Sequence, residues 1–353
     1  MGLSTLAELV RRTDIDQGGK ETTMSIGEKI CVCLLTYNHV NVVESTLRSI
    51  LDQTINGYEV IVSDDCSTDG TWEHILTLNK QGARIKPVRT PQNTGMPGNA
   101  NFAVAQSNRP YIALLHHDDL YRHDLLEKWA EVLERYKDVG FVFNPYAVFQ
   151  SNYIYSESIS NERMDGRWFL DRFLFPRWGC PVRGTAMIRR KAWDQVGGMR
   201  ERFNLLSDVD LWMRLAMHWA VGYVPEPVIM IRQQRPSYYP AIYNEGVWSW
   251  VRQRTLYRIH AVNRREYFNL YSAYERFEWL VFRLRLNMET VKWLVYAIVK
   301  RKPSIIETSQ EGATDYDLWP LRAFRWVLQR VVSAGSATSL RDHITVSKTM
   351  RDK

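Results

Sequence analysis

The chain predicts an α/β fold with a mixed, mostly parallel sheet flanked by helices, and three observations predict it. Short runs at 30–35, 58–62, 111–115 and 140–143 are apolar on both faces, as strands covered from two sides must be. Stretches of helical period alternate with them, at 41–51, 71–79, 99–106 and 120–136. Beyond Pro240 only helical periodicity remains, which predicts an α-helical C-terminal extension. The expected organisation is a polar, Gly18-Gly19-bearing leader over 1–28, an α/β domain over 29–240, a helical region over 241–333 and a polar tail over 334–353.

Length and composition agree with a folded protein. The 353 residues are 45% hydrophobic and 24% charged, which excludes disordered, collagen-like and coiled-coil chains. No run of 18 uncharged apolar residues and no signal-peptide pattern is present, so the expected location is the cytoplasm. The four cysteines form no CxxC pair; Cys31 and Cys33 would share one face of a strand and read as buried free thiols. The net charge of +7 is concentrated between Arg252 and Lys302, where 12 Lys and Arg face 4 Asp and Glu.

Along the chain, the four runs and their helices carry the domain to Phe149. The aromatic and charged stretch 153–178 then reads as a long irregular excursion before a run at 183–189. A further helix is expected over 208–219, with Asp208 and Asp210 in its first turn, where carboxylates suit the positive end of the helix dipole.

Ligands of open parallel sheets sit at the C-terminal strand ends. Here those ends read Leu35-Thr36-Tyr37-Asn38, Ser63-Asp64-Asp65-Cys66 and His116-His117-Asp118-Asp119. Neither GxGxxG nor GxxxxGK[ST] follows a strand, which removes the dinucleotide and P-loop readings. Asp118 and Asp119 supply hard oxygen ligands that suit Mg²⁺ or Mn²⁺ bridging a diphosphate. The alternative is that they cap a helix starting near Leu120.

Taken together, 30–38, 60–71, the acidic strand end after Leu115 and 183–214 resemble the family 2 glycosyltransferases, inverting GT-A enzymes that use a nucleotide-sugar donor. The resemblance implies that Thr36, Tyr37 and Asn38 border the nucleotide base and that Asp65 hydrogen-bonds it. It places Asn93 and Gly98 near the donor phosphates and sugar, with Ala100 where an Arg is frequent. His116 stands where an Asp often meets the ribose, and His117 goes with it into the nucleotide site, against its reading as a structural histidine. Asp118, with Asp119, matches the ligands of a divalent metal, Mg or Mn. Ser207-Asp208-Val209-Asp210-Leu211-Trp212-Met213-Arg214 resembles the family's Glu-Asp-x-Asp-Leu-Trp-x-Arg segment, so Asp208 matches the catalytic base and Ser207 replaces the Glu. Asp210 reads as structural. In the segment 231–235, Gln234 replaces a frequent His, and Arg232 and Arg235 either neutralise the diphosphate or are solvated.

The implied function is sugar transfer from a nucleoside-diphosphate-sugar to a saccharide, lipid-linked as a polyprenyl diphosphate, in bacterial surface polysaccharide or glycan assembly. A non-catalytic sugar- or nucleotide-binding module, or a scaffold, is the alternative; the module would keep the pocket but show neither donor hydrolysis nor transfer, and the scaffold would tolerate loss of Asp118 and Asp208. The recurrence Phe277, Leu280, Val281, Leu284, Met288, Val291, Val295, Ile298 describes one apolar helical stripe. Packing on the catalytic domain is its default reading, with a homodimer seam and peripheral contact of residues 250–330 with the inner membrane face as the others. Nucleic acid is not an expected partner, because the charges are dispersed around apolar stripes.

Overall fold

Every residue of Ile30–Thr36 (β1) is buried, and parallel partners flank it on both sides. The computed structural model describes residues 24–176, 180–232, 247–271, 276–302, 305–306, 309 and 316–330. Alternation along β1 feeds two cores. Cys31, Cys33 and Leu35 pack with Ala100 and Ala103, whereas Ile30, Val32 and Leu34 pack with Leu47, Ile75 and Leu126. The Cys31 and Cys33 thiols lie 3.8 Å apart on that shared face, unbridged.

Glu59–Asp64 (β2) and Tyr111–His116 (β4) are the partners of β1, and Lys86–Arg89 (β3) joins β2 at the edge, where Pro87 is tolerated. Val43–Leu51 (α1), Thr71–Lys80 (α2), Gly95–Val104 (α3) and Leu125–Arg135 (α4) return the chain between strands. Ala186–Arg189 (β10) runs antiparallel between β4 and Val139–Phe143 (β6). Ala220–Tyr223 (β11) is parallel to β6, and Arg163–Met164 (β9) is antiparallel at the far edge. The eight-stranded order is β3-β2-β1-β4-β10-β6-β11-β9. Leu120–Tyr121 (β5), Tyr146–Val148 (β7), Ile154–Tyr155 (β8) and Ile229–Ile231 (β12) form a second sheet ordered β5-β12-β7-β8.

Two expectations are corrected. The stretch 120–136 is not one helix, because Leu120 and Tyr121 pair with β12 and the Tyr121 hydroxyl bridges the backbone N–H and C=O of His116. The helix starts only at Leu125, with Asp124 at its N-cap position, so Asp118 and Asp119 cap nothing. Nor is 153–176 an irregular excursion. It holds β8, β9, a helical turn at Gly166–Phe169 and a π turn at Leu170–Leu174, whose Phe169, Leu170 and Leu174 are fully buried. Its Phe169, Phe173 and Phe175 are core, whereas Tyr153 and Trp168 are exposed; Trp178 lies outside the described residues.

Arg190–Val196 (α5) and Ser207–His218 (α6) complete the domain. Val247–Tyr271 (α7) is a two-sided helix: Leu256, Ile259 and Tyr267 enter the catalytic core, while Trp250, Tyr257 and Ala261 face Arg276–Val299 (α8) and the segment beyond. From α8 the buried contributors are Leu286, Leu294 and Ala297. The stripe from Phe277 to Ile298 is a different face, exposed along its whole length, which overturns its packing on the catalytic domain. Residues 319–330 (α9) bury Leu321 and the Arg325 side chain, which pairs with Asp317 at 3.0 Å. Among the described residues, no helix is long and apolar enough to cross a membrane. Residues 1–23 of the leader, and the tail, lie outside the described residues.

Candidate active site

Register aligns three strand ends. Thr36 stands opposite Asp64 across β1 and β2, and Leu35 opposite His116 across β1 and β4, so the three strands release Asp65, Tyr37 and His117 from one edge. Because β10 is antiparallel, Ala186 pairs with Leu114 and the preceding Arg183-Gly184 arrives beside His116 from the other direction.

The β2 end is held rigidly. Asp64, fully buried, accepts from the Ser67 N–H and hydroxyl and pairs with Arg89 at 3.2 Å, fixing the turn behind it. Asp65 faces the other way: its Oδ1 accepts from Thr90 Oγ1, Thr94 N and Thr94 Oγ1 at 2.8–2.9 Å. Gly98 explains that geometry, since a methyl built there would sit 2.6 Å from Thr94 Cβ. Its missing side chain makes room for the threonine that orients Asp65. Asn38, at φ 53°, ties the β1 and β2 loops by accepting from Thr68 N and donating its own N–H to Ser67 Oγ. Thr36 is buried, with its hydroxyl directed at Ser63 O and Asp64, and Tyr37 is half-buried. Asn93 is exposed and closes a turn onto the Gly95 N–H.

Past β4 the chemistry changes. His116, Asp118 and Asp119 bring ligand atoms within 4.8 Å of one another, and His39, His117 and Asp118 form a second such group. Burial pushes His116 down, and it takes His117 down to about 4, so both rings are neutral at neutral pH. Burial opposes charge on Asp118, yet at the acid pH where it titrates the protonated His117, His116 and His39 rings facing it leave its carboxyl below the usual range. Asp119 differs. Burial and then the Asp118 charge push it up to about 8, and its Oδ1 accepts only a 3.4 Å bond from Arg232 N. An ionised carboxylate beside neutral imidazoles and a second carboxyl is a donor set that fits a divalent ion.

Asp208 and Asp210 share the first turn of α6 with opposite surroundings. Asp210 is completely buried and fully engaged, with Arg214 at 2.8 Å, Arg200 at 3.4 Å and Asn263 Nδ2 at 2.8 Å. Asp208 points to the cleft, and its buried Oδ1 has no hydrogen-bond partner among the described residues. Burial raises its carboxyl to about 6, the Val209 N–H and the Arg183 guanidinium holding it back. A methyl built on Gly184, at φ 78°, would lie 2.7 Å from His116 Cε1 and 3.2 Å from Asp208 Oδ2. The base candidate and the metal cluster therefore meet across a single glycine. Ser207 is buried and donates to Arg200 O, which anchors the turn.

Two residues escaped sequence reasoning. His39, its ring tilted by 50° against that of His117 at 3.5 Å between centroids, follows the β1 motif without belonging to it. Arg183 is exposed over the Tyr146 ring and acts electrostatically on His116, Asp119 and Asp208. Nothing in its local spacing signals this, because β10 delivers it from outside the parallel pattern. Arg232, half-buried, reaches Ser45 Oγ and lies over Phe149, so it is not a solvated side chain; Gln234 and Arg235 lie outside the described residues. A surface cavity lined by Asp138, Arg163 and Trp219 sits at the opposite ends of β6 and β11, away from these groups.

Comparison with known proteins follows the same residues. The model of the Glycosyl transferase family 2 matches residues 31–197. The putative glycosyltransferase EpsE of Bacillus subtilis is 28% identical over 229 residues, covering 61% of this chain and 77% of that protein. The putative teichuronic acid biosynthesis glycosyltransferase TuaG of the same organism is 34% identical over 119 residues, 34% of this chain and 47% of that one. The crystal structure of S. aureus TarS 1–349 in complex with UDP-GlcNAc matches with a TM-score of 0.59 at 15% identity, over 88% of this chain and 92% of that one, a likeness of fold.

Proposed function

Residues 31–197 being a family 2 glycosyltransferase domain, we propose that this glycosyltransferase moves a sugar, with inversion, from a nucleoside-diphosphate donor to a saccharide hydroxyl in bacterial surface-polysaccharide assembly. The observation that carries the reading is Asp208: a carboxylate with one unpartnered buried oxygen, across Gly184 from the His116–Asp118–Asp119 cluster. Inversion needs one base on the face opposite the leaving diphosphate, and this reading assigns that role to Asp208.

In this reading Asp208 takes the proton of the acceptor hydroxyl, whose oxygen forms the new bond to the anomeric carbon as the bond to the diphosphate breaks. Asp118, with Asp119 and His116, would hold a Mg²⁺ or Mn²⁺ ion, which when bound would supply positive charge against the leaving diphosphate. Arg183 and Arg232 supply the cationic contact that Ala100 cannot. Tyr37 offers a stacking face to the base, and Asp65, locked by Thr90 and Thr94, accepts from its ring N–H; Thr36 and Asn38 hold that edge in shape. Asn93 and Gly98 support the donor side, Gly98 through Thr94. A polyprenyl-diphosphate-linked acceptor belongs to the same proposal, and a role in surface-polysaccharide assembly is supported by the teichuronic acid biosynthesis in TuaG's name.

Asp208→Asn keeps the shape and removes the base. Sugar transfer should fall by about 10²–10⁴-fold, while calorimetric titration with a nucleotide sugar and Mn²⁺ still shows donor binding. Turnover at the wild-type rate in that variant would end the proposal.

A further inference from the structure

We propose that the outer face of α8, extended by α9, docks on the surface of an anionic lipid bilayer. The inference is independent of the chemistry assigned to the cleft. It begins from a physical anomaly. Phe277 is 73% exposed, Met288 64% and Val299 69%, and the apolar positions between them are bare as well. The stripe runs the length of a 24-residue helix, about 36 Å at 1.5 Å per residue. Trp319, 79% exposed, and Trp326 add indoles from α9. A soluble monomer rarely leaves so continuous an apolar surface uncovered.

The helix has two apolar faces, and only one is spoken for. Leu286, Leu294 and Ala297 are buried toward α7 and its neighbours, so the stripe is not a misplaced core. Turning α8 over would expose that set instead, along with the buried Asn287 and Thr290 that bond to Tyr316.

Charge selects the occupant. Exposed Arg285 and Lys292 border the stripe and Lys300 and Arg301 follow its end, while Arg322 and Arg330 are exposed on α9, with the Arg330 guanidinium 3.9 Å over Trp326. Between positions 280 and 300 the single acid is Glu289, already paired with Lys292 at 2.8 Å. Apolar side chains bordered by cations and indoles match the headgroup region of an anionic membrane, where aliphatic groups enter the acyl boundary and cations meet phosphates. The same rim argues against a second copy. The stripe's alternating spacing of three and four would suit a two-helix seam, but Arg285 and Lys292 flank one side, and Asn287 and Leu294 on the other are already buried. Such a seam would line up Arg285 and Lys292 of both copies along one edge, with Glu278 as the one exposed acid on that edge, so like charges would outnumber opposite ones.

The test is flotation of the full chain with extruded vesicles of phosphatidylcholine alone and of phosphatidylcholine with phosphatidylglycerol in equal parts. Wild type should float with the anionic vesicles and stay behind with the neutral ones. High salt should weaken recovery. Leu284→Glu/Met288→Glu changes two exposed side chains, so its circular dichroism should match wild type while its partition coefficient falls at least tenfold. Recovery of wild type in the soluble fraction with both vesicles overturns the proposal, as does equal flotation of the double variant. A wild-type dimer in sedimentation velocity that the double variant dissolves would assign the face to a second copy and overturn it too. Transfer to a soluble acceptor, measured in parallel, should be the same in both proteins, which separates this outcome from failure of the cleft chemistry.

Discussion

The strand-end cleft and the outer face of α8 break the ordinary rules of burial in opposite directions. In the cleft, polar groups are hidden without full satisfaction: Asp208 Oδ1 is orphaned and Asp119 is forced toward its neutral form. On α8, apolar groups are shown without cover. Each departure costs free energy in the isolated protein, and each names the missing component by its opposite character. A proton donor and a cation would relieve the cleft; a lipid-like surface with phosphates would relieve the helix.

Asp210 provides the sharpest way to break that comparison, because it is buried in the same helical turn as Asp208 yet fully paired. Asp210→Ala takes the carboxylate from the buried Arg214, while Arg200 keeps Glu266 at 2.8 Å, and should cost about 3–5 kcal/mol of stability, seen as a large drop in melting temperature. Asp208→Asn should leave melting unchanged or raise it. Equal melting losses in the two variants would mean that Asp208 is structural after all. A smaller effect is expected at Arg183. Arg183→Ala should weaken donor use by about tenfold, the worth of one charge-assisted contact, with no loss of melting temperature. It should also move the pH profile, since the guanidinium helps keep Asp208 ionised.

The profile itself is the mildest perturbation. A base must be ionised to act, and burial raises Asp208 to about 6. Rate should therefore hold above that pH and fall tenfold per unit below it, with Arg183→Ala shifting the break upward. A wild-type rate flat from pH 7 to pH 5 would exclude Asp208 as the titrating group.

Much of the domain was legible because its strands are buried on both faces: β1, β2, β4 and β6 each announce themselves as an apolar run. Legibility ended where pairing is non-local. Leu120-Tyr121 reads as the start of a helix until β12, some 110 positions later, claims it as a strand. Arg183 and His39 carry no motif of their own and reach the cleft only through the antiparallel β10 and a tilted ring contact. Spacing of three and four says that α8 has an apolar face; it does not say which of two such faces the protein covers. The structure gives the buried place to Leu286, Leu294 and Ala297.

Gly184 deserves a final reading as a gauge. Its backbone, at φ 78°, sets the clearance between the His116 ring and the Asp208 carboxylate to less than a methyl's width. No larger residue fits without prising those two groups apart. Any side chain at this position would widen the gap between the two groups, so their spacing is held by the absence of a single carbon.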